Sequence, residues 1–176
     1  MSSSAFRPEK IVVVHGGELA TDVASKIKSE IVSASPGGLS DGDVTVQCAS
    51  VRPKKLLDLG ASTLVVFVLQ TIENSSPTEE GGTTVRFFKR KTHPSGLLEG
   101  EGSFRHYAVL GVGDSNLLLD RQTTTARDCN QVAQELDGRL EALGGVRFRE
   151  LGMADERTGL TEVKLWIDGL VGALQA

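Results

Sequence analysis

The chain has 176 residues, a net charge of −4, 39% hydrophobic and 24% charged residues. That length can bury one real core, and the acidic balance provides no global basic field for nucleic acid. No apolar run approaches the ~20 residues that span a bilayer.

The opening "MSSSAFRPEK" lacks the apolar stretch of a secretory signal, and residues 1–9 are expected to be a disordered lead-in to a single domain over 10–176. "KIVVVHG" (10–16) is a β-branched run without polar alternation, as in a strand covered on both faces. "VVVHGGELATDVA" then turns at once into a helical pattern. Such a junction can face an anion with backbone N–H groups and a helix N-terminus. Val23, Ile27 and Ile31 recur at four-residue spacing and mark one helix face. "PGGLSDGD" breaks the chain, "VTVQCAS" alternates as a second strand, and "PKKLLDLG" fits a short helix ended by Gly60.

"STLVVFVLQT" (62–71) is the most apolar stretch and is predicted to be the central strand. "TTVRFFKRK" fits a helix opened by "SSPTEE", with Phe87 and Phe88 inward. "HYAVLGVGDS" (106–115) is another buried strand entering a glycine turn. "LLLDRQTTTARD" remains unassigned, a polar-ended excursion. "CNQVAQELDGRLEALGG" places Val132, Leu136, Leu140 and Leu143 on one helix side, and Gly144–Gly145 stops it. "VRFRELGMADE" supplies a last short strand. "LTEVKLWIDGLVGALQ" supplies a helix with Val163, Trp166, Leu170 and Leu174 on one face.

Strands alternating with helices imply a parallel sheet with right-handed crossovers. The expected fold is an α/β three-layer α/β/α sandwich with a five-stranded parallel sheet in the order 2-1-3-4-5. Ligands in such sheets bind beyond the strand carboxyl ends, where the strand order reverses. Three turns fall there: after Val14, after Gln70 and after Leu110.

These turns, with the C-terminal third, resemble the flavodoxin family, and in particular the FMN domain of diflavin reductases of the methionine synthase reductase type. The stretches that carry the resemblance are Gly111-Val112-Gly113-Asp114-Ser115, the R-L-x-x-L-G run from Arg139 to Gly144, the Ala154-Asp155 turn, and Trp166 in the final helix. The match is specific in combination over about the last seventy residues. It implies FMN held by three loops, comprising Gly16, Gly17, Glu18, Ala20 and Thr21; Thr71, Ile72, Glu73 and Asn74; and Gly111, Val112, Gly113, Asp114, Asn116 and Leu117. In the family, hydroxyls and helix-start amides bind the phosphate, glycines admit the isoalloxazine edge, and aromatics stack on it.

This sequence departs from the family at each loop. The first is about two residues short by motif spacing, and Glu18-Leu19-Ala20-Thr21 replaces a Thr-Gly-Thr core. A carboxylate there repels phosphate by ~1 kcal/mol or more. In the second, Glu73 and Ser75 stand where two glycines belong, although Thr71 and Pro77 are kept. In the third, Asn116-Leu117-Leu118 stands where an aromatic is usual.

Other residues have plainer readings. Thr21 reads as a phosphate ligand or as the N-cap of a helix starting near Asp22. Gly16–Gly17 and Gly111/Gly113 read as ligand contacts or simple tight turns. His15, His93 and His106 lack metal spacing, and no catalytic residue or metal ligand is expected. Cys48 and Cys129 form no CxxC pair, which suggests free thiols and a reduced, cytoplasmic setting. "RFFKRK" reads as an amphipathic helix with a solvated face, a docking face for an acidic partner, or a single-strand contact.

Two functions follow. One is an FMN-binding electron-transfer domain with degenerate flavin loops, passing electrons between a reductase and an acceptor. The other is a flavin-free flavodoxin-fold module for binding or interaction. The chain ends just after the Trp166 helix, so either is expected to be at most a redox carrier and not a complete reductase. No membrane or nucleic-acid partner is expected.

Overall fold

The computed structural model describes residues 6–72, 76–115 and 129–176. Among the described residues, seven strands and four α-helices follow in chain order: β1 (Lys10–Gly16), α1 (Glu18–Ala34), β2 (Val44–Cys48), β3 (Thr63–Ile72), β4 (Ser76–Pro77), α2 (Glu79–Phe88), β5 (His106–Gly113), α3 (Gln131–Ala142), β6 (Val146–Arg147), β7 (Gly152–Asp155) and α4 (Thr161–Gln175). The main sheet runs β2-β1-β3-β5-β6, and β7 also pairs with β5. All of these pairs are parallel, so the expected 2-1-3-4-5 order holds, with the fifth position shared by β6 and β7.

Residues alternate cleanly between two cores. Ile11 and Val13 of β1, with Leu64, Val66 and Val68 of β3, pack against α1 and α4; Val12, Val14, Val65, Phe67 and Leu69 pack against α2 and α3. A strand apolar on both faces is buried on both faces, which is why the sequence shows unbroken β-branched runs here. Phe87 and Phe88 are buried as expected. α2 ends under Arg139, whose Nε and Nη2 donate to the carbonyls of Phe88 (2.7 Å) and Arg90 (2.9 Å). A guanidinium on terminal carbonyls is a favourable helix end, and it gives the arginine of the R-L-x-x-L-G run a structural task. Gly144, at φ 93°, stops α3 in the left-handed region.

Three features differ from the sequence reading. "PKKLLDLG" forms a 3-10 helix over Pro53–Asp58. The last strand is interrupted: β6 and β7 pair with β5 on either side of residues 148–151. There the Glu150 carbonyl accepts from Trp166 Nε1 at 2.9 Å. A short antiparallel β4 returns on the end of β3, pairing Thr71 with Pro77. Phe6 in the lead-in stacks on the His106 ring, centroids 3.6 Å apart. Trp166 is 6% exposed, as its helix face predicts. Among the described residues no helix is long and apolar enough to cross a membrane.

Candidate functional site

The sheet register aligns the three turns along one edge. Gly16 sits opposite Leu69, Leu69 opposite Gly111, and Gln70 opposite Val112. The ends of β1, β3 and β5 therefore lie side by side at the point where the strand order reverses. The expected residues Glu73, Asn74, Asn116 and Leu117, and the excursion over 117–128, lie outside the described residues.

The first turn is tighter than expected. α1 begins at Glu18 with Gly17 as its N-cap, at φ 121° and ψ 159°. Only glycine adopts that backbone readily. Thr21 is therefore not the N-cap: it lies inside the first turn, where its hydroxyl donates to the Gly17 carbonyl at 3.1 Å. The helix starts early because its cap comes from another element. The Leu19 amide donates to Gln70 Oε1 on β3 at 3.1 Å. A Cβ built on Gly17 would stand 2.5 Å from both Gln70 Cβ and Oε1, so the carboxamide lies flush on the turn. Glu18 is exposed, and Ala20 is buried in the sheet core.

Gly16 serves a second contact. Its Cβ would meet Gly81 Cα at 2.6 Å, so the end of β1 and the first turn of α2 touch backbone to backbone. That turn carries Glu79 and Glu80. Beside it, His15 has its protonated form disfavoured: burial lowers its pKa, and the Glu80 charge only partly opposes this. His15 Nδ1 lies 3.4 Å from Thr21 Oγ1.

The other two turns are committed to α3. Thr71, 2% exposed, accepts from the Val132 amide at 3.1 Å. Its hydroxyl thus satisfies one of the orphan donors at the α3 N-terminus. Ile72 is 36% exposed. At Gly111 a Cβ would stand 2.6 Å from Asn130 Oδ1, and at Gly113 2.1 Å from the Cys129 carbonyl. Both glycines let the chain entering α3 pack on β5, and Val112 between them is fully buried. Asp114 is half-buried.

Asp155 fastens the same edge. Its Oδ1 accepts from the amides of Ser115 (2.9 Å) and Arg157 (3.0 Å). Burial pushes this carboxyl up, yet the amide and side chain of Ser115, with the amide and charge of Arg157, outweigh it and hold the pKa below the ordinary value. The G-x-G-D-S and A-D motifs are thus two ends of one structural tie. Sequence reasoning did not single out Gln70 or assign Asp155 a role. The signal for Gln70 was a lone long polar residue closing the apolar run "TLVVFVLQ".

As an anion cradle, the phosphate end does not fit. The Leu19 amide has an internal partner, Thr21 turns back on its own helix, and Glu18, Glu79 and Glu80 open the two helices whose starts meet there.

A family model described as Flavodoxin matches residues 20–166, beginning just past the Gly16–Leu19 turn. The methionine synthase reductase of Bos taurus is 33% identical over 131 residues, 74% of this chain and 17% of that protein. The Mus musculus protein of the same name is 31% identical over 156 residues, 88% of this chain and 20% of that protein. The chain therefore spans no more than a fifth of the length of these curated relatives. The oxidised flavodoxin 1 of Bacillus cereus matches in structure with a TM-score of 0.61 at 12% identity, covering 94% of this chain and 97% of that one, a likeness of fold. The chain belongs to the flavodoxin family.

Proposed function

We propose that the chain acts as an FMN-binding electron-transfer domain of the diflavin-reductase kind, with degenerate loops that hold the flavin weakly. The observation that carries this reading is the alignment of the three turns at the reversal point of a flavodoxin sheet. The flavin would lie across Gly16–Thr21, Thr71–Asn74 and Gly111–Leu117, supplying the redox chemistry while the protein sets contacts and docking. Its partners would be a reductase and an electron acceptor. Cys48 and Cys129, neither in a disulfide, suit a reduced, cytoplasmic setting. The domain would comprise residues 10–176.

Weak binding follows from the missing contacts. Losing ring stacking removes ~0.5–1.5 kcal/mol. One or two absent charge-assisted hydrogen bonds remove ~1.5–3 kcal/mol each. Together these amount to roughly 2–7 kcal/mol, or about thirtyfold to 10⁵-fold in affinity. The visible spectrum of the purified protein tests the reading: it is expected to be nearly colourless and to gain a protein-bound flavin spectrum only when FMN is added in excess. A yellow preparation with stoichiometric flavin would contradict the degenerate-loop account.

A second reading, a flavin-free interaction module, is favoured by one specific observation. The Leu19 amide, inside the first loop, has its partner within the protein at Gln70. No spectral change at high micromolar FMN would select it.

A further inference from the structure

The start of α1 is a helix N-terminus with unpaired donors by construction, and its dipole favours negative charge. In a flavin-phosphate loop that end faces the dianion. Here a neutral side chain faces it instead. Gln70 reaches from β3 so that its Oε1 accepts from the Leu19 amide at 3.1 Å. The fit is close enough that any Cβ at position 17 would collide with it. The turn then closes on itself, because the Thr21 amide and hydroxyl both donate to the Gly17 carbonyl, at 3.2 and 3.1 Å.

The surrounding charge points the same way. Glu18 opens α1, Glu79 and Glu80 open α2, and the two helix starts meet through Gly16 and Gly81. A phosphate entering here would have to break the Gln70–Leu19 bond and would meet the Glu80 charge that acts on His15 beside the turn. A carboxamide oxygen meets the same helix end with partial negative charge and no net charge, so it does neither. A flavin lacking the phosphate leaves the arrangement intact.

We propose that Gln70 takes the place of a ligand phosphate at the start of α1, so that the crevice prefers an uncharged, riboflavin-type flavin to its phosphorylated form. This rests on the reading of the chain as a flavin-binding domain. It makes Gln70 a specificity-determining residue.

The test compares FMN with riboflavin, which share ring and ribityl chain and differ in the phosphate. Both are titrated by flavin fluorescence against the wild-type protein, Gln70→Ala and Gln70→Glu. The wild type is expected to bind riboflavin at least as tightly as FMN. Gln70→Ala releases the Leu19 amide and is expected to shift the FMN-to-riboflavin affinity ratio at least tenfold towards FMN. Gln70→Glu keeps an acceptor for that amide, adds a charge, and is expected to shift the ratio the other way. Tighter binding of FMN than riboflavin by the wild type would overturn the proposal and leave the flavin-binding reading standing. Binding of neither flavin would overturn that reading and the proposal with it. Amide exchange provides a readout independent of flavin: Leu19 N–H protection is expected in the wild type and in Gln70→Glu, and to be lost selectively in Gln70→Ala. Equal Leu19 protection in all three would overturn the role of Gln70.

Discussion

Trp166 and Gly152 form a pair whose coupling can be worked out from geometry. Trp166 is 6% exposed, and its Nε1 donates to the Glu150 carbonyl at 2.9 Å. Trp166→Ala removes a large buried ring and is expected to destabilise the fold by ~3–5 kcal/mol. For a domain of this size that corresponds to a fall in thermal midpoint of roughly 6–20 °C. Gly152 faces the same ring: an added Cβ would stand 2.3 Å from Trp166 Cδ1, 2.6 Å from Nε1 and 2.7 Å from Leu110 Cδ1. In the wild type, Gly152→Ala must push the indole aside, an overpacking expected to cost ~1–3 kcal/mol. With the indole gone, the two nearest of these three contacts disappear, so the same substitution should cost less. The double mutant is therefore expected to be more stable than the sum of the single changes by about 1 kcal/mol or more. Urea denaturation followed by far-UV circular dichroism measures all four proteins, since Trp166 is the one tryptophan and its fluorescence is lost. Additive free energies, or an unchanged midpoint in Trp166→Ala, would refute this account of the packing.

Three further outcomes are expected. Thr71→Val keeps the shape but removes the acceptor for the Val132 amide at 3.1 Å; it should destabilise by ~1 kcal/mol or somewhat more, and an unchanged urea midpoint would refute the role of its hydroxyl at the start of α3. Tyr107, the one tyrosine, donates its hydroxyl to the Asp137 carbonyl, and its pKa is pushed up to about 12 by burial and the Asp137 charge. A phenol with a raised folded pKa stabilises fully below the unfolded value of ~10, and that contribution is lost as pH rises towards the folded value. Tyrosinate absorbance of the native protein should then titrate near that raised value, and a midpoint at the unfolded value would contradict the burial. Asp155 has a lowered folded pKa, so its contribution is present above ~3.9 and lost as pH falls through the folded value. The stability gap between wild type and Asp155→Asn, measured by thermal melting, should shrink from neutral pH to about pH 3. A constant gap would show that the carboxylate charge is not what the Ser115 and Arg157 amides hold.

Much of this architecture was legible because the signals are local. Val65 to Leu69 and Tyr107 to Leu110 read as strands because burial on both faces leaves no polar alternation. Trp166 and Leu170 read as buried because their helix face has nowhere else to go. What escaped was whatever depends on a distant partner. The start of α1 was misplaced by several residues because its amide cap comes from Gln70, 51 residues along the chain from Leu19. The break in the last strand falls where the Glu150 carbonyl bonds the Trp166 indole, 16 residues along the chain. Thr71 reads as a ligand residue in a family pattern, and only the packing of α3 on β3 reveals its amide partner. The same limit hid Asp155, whose tie to Ser115 spans 40 residues.

The central claim is that this flavodoxin-family chain keeps the scaffold of a flavin crevice and closes its phosphate end. The most direct measurement is an equilibrium titration of FMN with the purified protein, followed by flavin fluorescence and fitted for dissociation constant and stoichiometry. The account predicts one weak site with a dissociation constant in the micromolar range or above. Tight stoichiometric binding in the nanomolar range would contradict it, because the Gln70 partner of the Leu19 amide would then have to give way to the phosphate at almost no cost.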